Sequence, residues 1–201
     1  TDSGITYGML DAIDISDYGL NYDSMQALFL MFKYSNPQFF FIESGYGYAT
    51  TSVNTESDIL AAPGMQGPGM TGPGGSFGGG GVTTLSKIYI LAYEDFASGS
   101  TRYSYAKSLA DTVDSWVSTA SAQSTDLLKE KTIHDTLCKN TTYDDDFSSI
   151  SDSTKLEKYE QSHYTQSVAS AMLGSSTVCA GYASAFALVC NAAGLDCVAM
   201  T

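Results

Sequence analysis

A chain of 201 residues with 43% hydrophobic content is long enough to bury one sizeable core or two small ones. Its 22 acidic and 9 basic residues leave a net charge of −13, which argues against a nucleic-acid partner and disfavours an anionic membrane surface. No apolar run is long enough to span a bilayer. With only 15% charged residues among many Ser, Thr, Gly and Tyr, the composition suits a secreted or cell-surface protein. The start Thr1-Asp2-Ser3-Gly4 has no basic leader and no initiator methionine, so it reads as a mature or trimmed product.

Residues 1–20 carry only weak structural signals. From Tyr22 to Tyr34, Met25, Leu28, Phe29 and Phe32 fall at helical spacing, Asp23 or Ser24 offers a cap, and Pro37 stops the helix. Gln38 to Glu43 reads as a buried strand continuing through Tyr46 and Tyr48. The Gly-rich stretch 63–81 cannot recover the entropy of ordering its backbone and reads as a mobile loop joining two strands of one sheet. No Gly-Lys-Ser/Thr follows it, so a phosphate cradle is not expected. Thr83 to Tyr93 is the second of those strands.

A long amphipathic helix covers Thr101 to Ala120, with Tyr105, Leu109, Val113, Trp116 and Val117 on one face. A second helix runs from Thr125 to Cys138, and a third from about Thr154 to Leu173. Between them, residues 144–153 read as an acidic, Ser-rich loop. Asp144-Asp145-Asp146 lacks the glycine and distal glutamate of a calcium loop and reads as a solvated turn. Asn140-Thr141-Thr142 fits a glycosylation sequon. The fold class is α+β, with an N-terminal helix-and-sheet module over 1–98 and a largely helical core over 99–201.

The chemistry concentrates in the stretch Ser176 to Asn191. It reads as a helix capped by Ser176 or Thr177, with Cys179 in its first turn, where the helix dipole favours a thiolate. Ala180, Gly181, Ala183, Ser184 and Ala187 let another element approach the backbone closely, and Gly181 implies a packing or access constraint. The competing reading is a buried cysteine acting as a small hydrophobe. Cys138, Cys179, Cys190 and Cys197 show no zinc-ligand spacing, so no metal or other cofactor is expected. A disulfide among Cys138, Cys190 and Cys197 stays open, with buried free thiols the expected state. A cysteine nucleophile needs a base, commonly histidine. His134 falls on the apolar stripe of its helix and reads as a core histidine; His163 sits in a polar stretch and reads as solvated.

Thr177-Val178-Cys179-Ala180-Gly181-Tyr182-Ala183, then Phe186, Asn191-Ala192-Ala193-Gly194-Leu195-Asp196-Cys197 and an apolar strand, resembles the nucleophile segment of the transglutaminase-like superfamily, in particular the secreted bacterial transglutaminase-like cysteine proteases. Ile133-His134-Asp135 and Asn140-Thr141-Thr142-Tyr143-Asp144 resemble the helix and loop before that segment, so the likeness spans roughly residues 125–201. Tyr34-Ser35-Asn36-Pro37-Gln38-Phe39-Phe40 resembles, less closely, the region upstream of the family's core. The resemblance implies the helical half of a papain-related core. It also implies thiol-dependent acyl transfer on protein or peptide amides, by hydrolysis or transglutamination, with Cys179 as catalytic nucleophile and Tyr182 and Tyr143 shaping the substrate groove.

In that family the Ile-His-Asp histidine is not the base. The catalytic histidine and aspartate lie on strands after the cysteine helix, which here would fall beyond Thr201. The resemblance therefore implies a truncated, inactive fragment, or a site completed by a C-terminal fragment or second chain. A protein or peptide substrate, including a cell-wall or surface protein, is the expected partner. The alternative is a secreted surface or cell-wall interaction module that keeps the fold without chemistry.

Overall fold

A computed structural model describes residues 7–50, 60–61 and 84–198. The fold is α+β: a four-stranded antiparallel sheet, a separate two-stranded pair and seven α-helices among the described residues. The sheet runs in the order β1 (Gly8–Asp14), β4 (Leu85–Ala92), β2 (Ile42–Thr50), β3 (Leu60–Ala61). The two expected strands do pair, Tyr46 of β2 with Ile90 of β4 and Tyr48 with Ile88, while β3, which lies between β2 and the Gly-rich stretch, pairs with β2. The stretch 63–81 itself lies outside the described residues.

α1 (Tyr22–Ser35) begins where Asn21 caps it, its side chain accepting from the Ser24 N–H at 2.9 Å. Asp23 and Ser24 are thus already inside the first turn. Met25 and Phe29 point into a small core with Ile42, Tyr46, Leu85 and Ile88, whereas Leu28 and Phe32 remain exposed. The expected strand from Gln38 starts only at Ile42. Turn hydrogen bonds from the Phe39 N–H to Asn36 O and from the Ile42 N–H to Phe39 O hold 38–41 out of the ladder. β1, in the stretch of weak signal, is an edge strand with mostly exposed side chains, so it lacks the half-buried alternation that marks a strand in sequence.

The helical part is built on α2 (Gly99–Ser121), which packs against α3 (Asp126–Asn140), α6 (Val168–Leu173) and α7 (Cys179–Ala192). Leu109, Ile133, Leu137, Val168, Ala185 and Val189 share its core with Phe40, Tyr93 and Phe96 from the sheet side. Leu10 and Phe41 touch both cores and join them. The acidic loop contains a short helix, α4 (Asp145–Ser149), because Asp144 is buried and caps it, accepting from the Phe147 N–H at 2.8 Å. The single helix expected over 154–173 is two, α5 (Ser153–His163) and α6. They divide at Tyr164, whose backbone is left-handed at φ 41°, a conformation that costs a non-glycine residue about 1–2 kcal/mol. Packing of the Tyr164 ring on Phe96, with centroids 4.8 Å apart, offsets that cost.

Glu160 of α5 joins the two halves. It is fully buried, accepts from the Tyr93 hydroxyl at 2.8 Å and the Gln166 N–H at 3.1 Å, and also takes the Thr165 hydroxyl. Burial pushes its carboxyl up to about 7, against the opposing effect of those donors and of Lys33. The folded state therefore holds this proton more tightly than the unfolded chain. Its contribution to stability is complete below the ordinary value of 4.5 and is lost as pH rises through about 7. Glutamine keeps the pattern of the protonated acid: its oxygen accepts from Tyr93 and Gln166, and its N–H donates to the Thr165 hydroxyl oxygen, as the acid O–H would. Urea unfolding of the wild type is expected to lose up to about 1.4 kcal/mol per pH unit across that window. Glu160→Gln should flatten the slope, and an unchanged slope in the variant would remove Glu160 as its source.

Candidate functional site around Cys179

Cys179 is presented by a strand pair rather than by a loop. β5 (Thr142–Tyr143) runs parallel to β6 (Ser176–Thr177), with Thr142 beside Ser176 and Tyr143 beside Thr177. The Asp144 N–H extends the pairing to Thr177 O at 2.9 Å. α7 begins at the next turn, with Cys179 as its first residue and exposed to solvent.

Neither expected cap serves this helix. The N-cap is Val178, in extended conformation and without a side-chain hydrogen bond. Thr177 is fully buried and turns away, its hydroxyl donating to Thr165 O at 2.7 Å and lying 2.7 Å from the Ser170 hydroxyl. Ser176 reaches toward Asp144. Strand pairing has taken both residues, so the N-cap position of α7 supplies no side-chain acceptor to the first backbone N–H groups. An uncapped helix end carries partial positive charge and free donors.

Gly181 shows why the helix can sit here. A Cβ at this position would overlap the Thr177 hydroxyl and lie 2.9 Å from Ser167 O and 3.0 Å from Thr165 O. The Val178 N–H donates to the same Thr165 carbonyl at 3.2 Å. The glycine therefore lets the first turn of α7 close onto the 165–167 turn, as its packing role required. The other small-residue face carries Ser184, which borders a cleft of about 30 Å³ with Lys33, Asn36, Phe40 and Ser167. That volume suits a water rather than a peptide side chain.

The two tyrosines linked to the groove do come together. Tyr143 and Tyr182 stack with centroids 6.5 Å apart and planes 9° from parallel. Tyr182 lies one turn after Cys179 and donates to Thr141 O at 2.8 Å, while the Tyr143 ring is half exposed. Together they form a flat aromatic wall by the start of α7. Tyr34, which sequence reasoning did not single out, is coupled electrostatically to this thiol: burial pushes its phenol up, and the Cys179 sulfur adds to the shift. Its only sequence signal is its place in the segment Tyr34 to Phe40.

The histidines lie elsewhere. His134 is not a core residue: Ile133 and Leu137 take the buried stripe of α3, leaving His134 and Cys138 one step around the helix, both exposed. Its ring contacts Asp135 and Cys138. His163 is exposed as expected, stacked on Tyr159 at 3.9 Å, with Nδ1–H donating to Tyr159 O at 2.9 Å. Neither hydrogen-bonds Cys179 among the described residues.

All four cysteines are free thiols, but only Cys190 is buried; Cys197 is half-buried and Cys138 exposed. Burial, then the neighbouring Cys197, pushes the Cys190 thiol up to about 12. After α7, residues 195–198 belong to no helix or strand. The Asn191 side chain holds them, donating to Cys197 O at 2.9 Å and accepting from the Cys197 N–H at 3.0 Å.

Gly181→Ala is expected to destabilise the fold by about 1–3 kcal/mol through overpacking, read as a fall in the urea midpoint. Ala183→Ser, on the exposed face of the same helix, provides the reference. Equal stability of the two variants would mean that the first turn of α7 is not packed tightly. No helix among the described residues is long and apolar enough to cross a membrane. No family model, no curated protein and no solved structure matches the chain.

Proposed function

We propose that Cys179 is the nucleophile of a thiol-dependent acyl transfer on protein or peptide amides. One observation carries this reading: the exposed thiol is the first residue of a 14-residue helix whose N-cap residue, Val178, makes no side-chain hydrogen bond. The sulfur would attack a peptide or glutamine carboxamide carbonyl, the amine would leave, and a thioester would form. Water would then complete hydrolysis, or a second amine would complete a crosslink. The uncapped N–H groups of α7 are donors of the kind that steady an oxyanion. The Tyr143–Tyr182 wall offers an apolar face to the acyl chain. The resemblance of residues 125–201 to the transglutaminase-like core supports the same assignment, in a secreted or cell-surface setting.

The acid–base group is not His134 or His163, since both engage other partners. In this reading it comes from a segment after α7 or from a second chain. The same observation favours the second reading, a surface or cell-wall interaction module that keeps the fold without chemistry.

Alkylation of the folded protein separates the two. At mildly acidic pH, iodoacetamide is expected to modify Cys179 first, Cys138 next, and Cys190 and Cys197 last, as followed by peptide mass mapping. Labelling of Cys179 no faster than the equally exposed Cys138 would overturn the nucleophile assignment and leave the interaction module.

A further inference from the structure

A second thiol cluster lies on the exposed face of α3 and belongs to no part of the acyl-transfer reading. His134 and Cys138 are one helical turn apart, with Nε2 and Sγ separated by 3.6 Å. Asp135 Oδ1 lies 3.1 Å from His134 Nδ1, on the far side of the ring. Asp135 is itself held by Lys131, and hydrogen bonds from Lys131 and then His134 keep its carboxyl below the usual range. Both the imidazole and the thiol are open to solvent.

We infer that His134 and Cys138 form a two-point chelate for a borderline or soft divalent cation such as zinc, with Asp135 as the positioning residue behind the imidazole. The spacing carries the argument. Bonds of about 2.3 Å to sulfur and about 2.0 Å to nitrogen at a tetrahedral metal place the two ligand atoms about 3.5 Å apart, and here they are 3.6 Å apart before any ion is added. The Asp135 hydrogen bond places the proton on Nδ1, leaving the Nε2 lone pair directed at the space shared with Sγ. A carboxylate behind a ligating histidine fixes the ring and raises its basicity. Binding would replace the thiol proton with the metal and release it to solvent.

No group of three or more such side chains is assembled among the described residues, so the remaining coordination positions are open to water. That makes the site an exchangeable one rather than a structural one.

Cobalt is the probe. Titrating Co²⁺ into the reduced full chain is expected to produce a sulfur-to-cobalt charge-transfer band that Zn²⁺ displaces. The band should be lost in Cys138→Ser and in His134→Gln and unchanged in Cys179→Ser. Asp135→Asn should weaken cobalt binding by about tenfold or more. Absence of the band, or its survival in either ligand variant, overturns the chelate; unchanged affinity in Asp135→Asn overturns the positioning role. On the unmodified chain, saturating Zn²⁺ should slow alkylation of Cys138 and leave that of Cys179 as it was. Protection of Cys179 instead would place the ion at the other thiol and sink the inference. Failure of the acyl-transfer reading would change none of these outcomes.

Discussion

A buried carboxyl organises this fold. Glu160 receives a hydroxyl from the sheet side (Tyr93), a hydroxyl from Thr165 and a backbone N–H from Gln166. It thereby joins the end of β4, α5 and the turn before α6 through one side chain. A buried charge is expensive without such donors, and the raised affinity for a proton records what remains of that cost. The turn it fixes then supplies the Thr165 carbonyl, which takes the Thr177 hydroxyl and the Val178 N–H. From Glu160 to Cys179 the positioning therefore runs through Thr165 and Thr177, without a break.

That relay explains why the site residues look ordinary one by one. Thr177 is turned inward, so the helix it precedes is left open at its exposed end. Gly181 gives up side-chain packing so that the helix can lie against two carbonyls. The two concessions together leave an exposed thiol at a helix start whose N-cap residue makes no side-chain hydrogen bond, with an aromatic wall on one side.

Much of this was legible in the sequence, for a physical reason. The periodicity of α2 and α3 and the small residues of α7 follow directly from burial on one face, and each helix lies within a residue or two of where that pattern puts it. Tyr143 and Tyr182, named in the sequence as groove residues, stack on one another. What escaped was non-local. Ser176 and Thr177 resemble caps until β5, more than thirty residues earlier, claims their backbone. Nothing in the residues around Tyr164 announces a left-handed turn, because the aromatic packing that favours it comes from Phe96. Glu160 is one acid in a polar helix until Tyr93 is brought to it. His134 was misplaced by a single step of the helix, enough to exchange the core for solvent.

The shortness of the β5–β6 pair has a kinetic side. α4, α5 and α6 lie in the chain between Thr142 and Ser176, and so distant a closure is expected late, because its entropy is spent before any contact rewards it. α2 and α3, neighbours along the chain, need no such closure. Opening should run in reverse: the turn that presents Cys179 loosens while the α2–α3 hairpin still holds, so the thiol's setting is less durable than the helices that surround it.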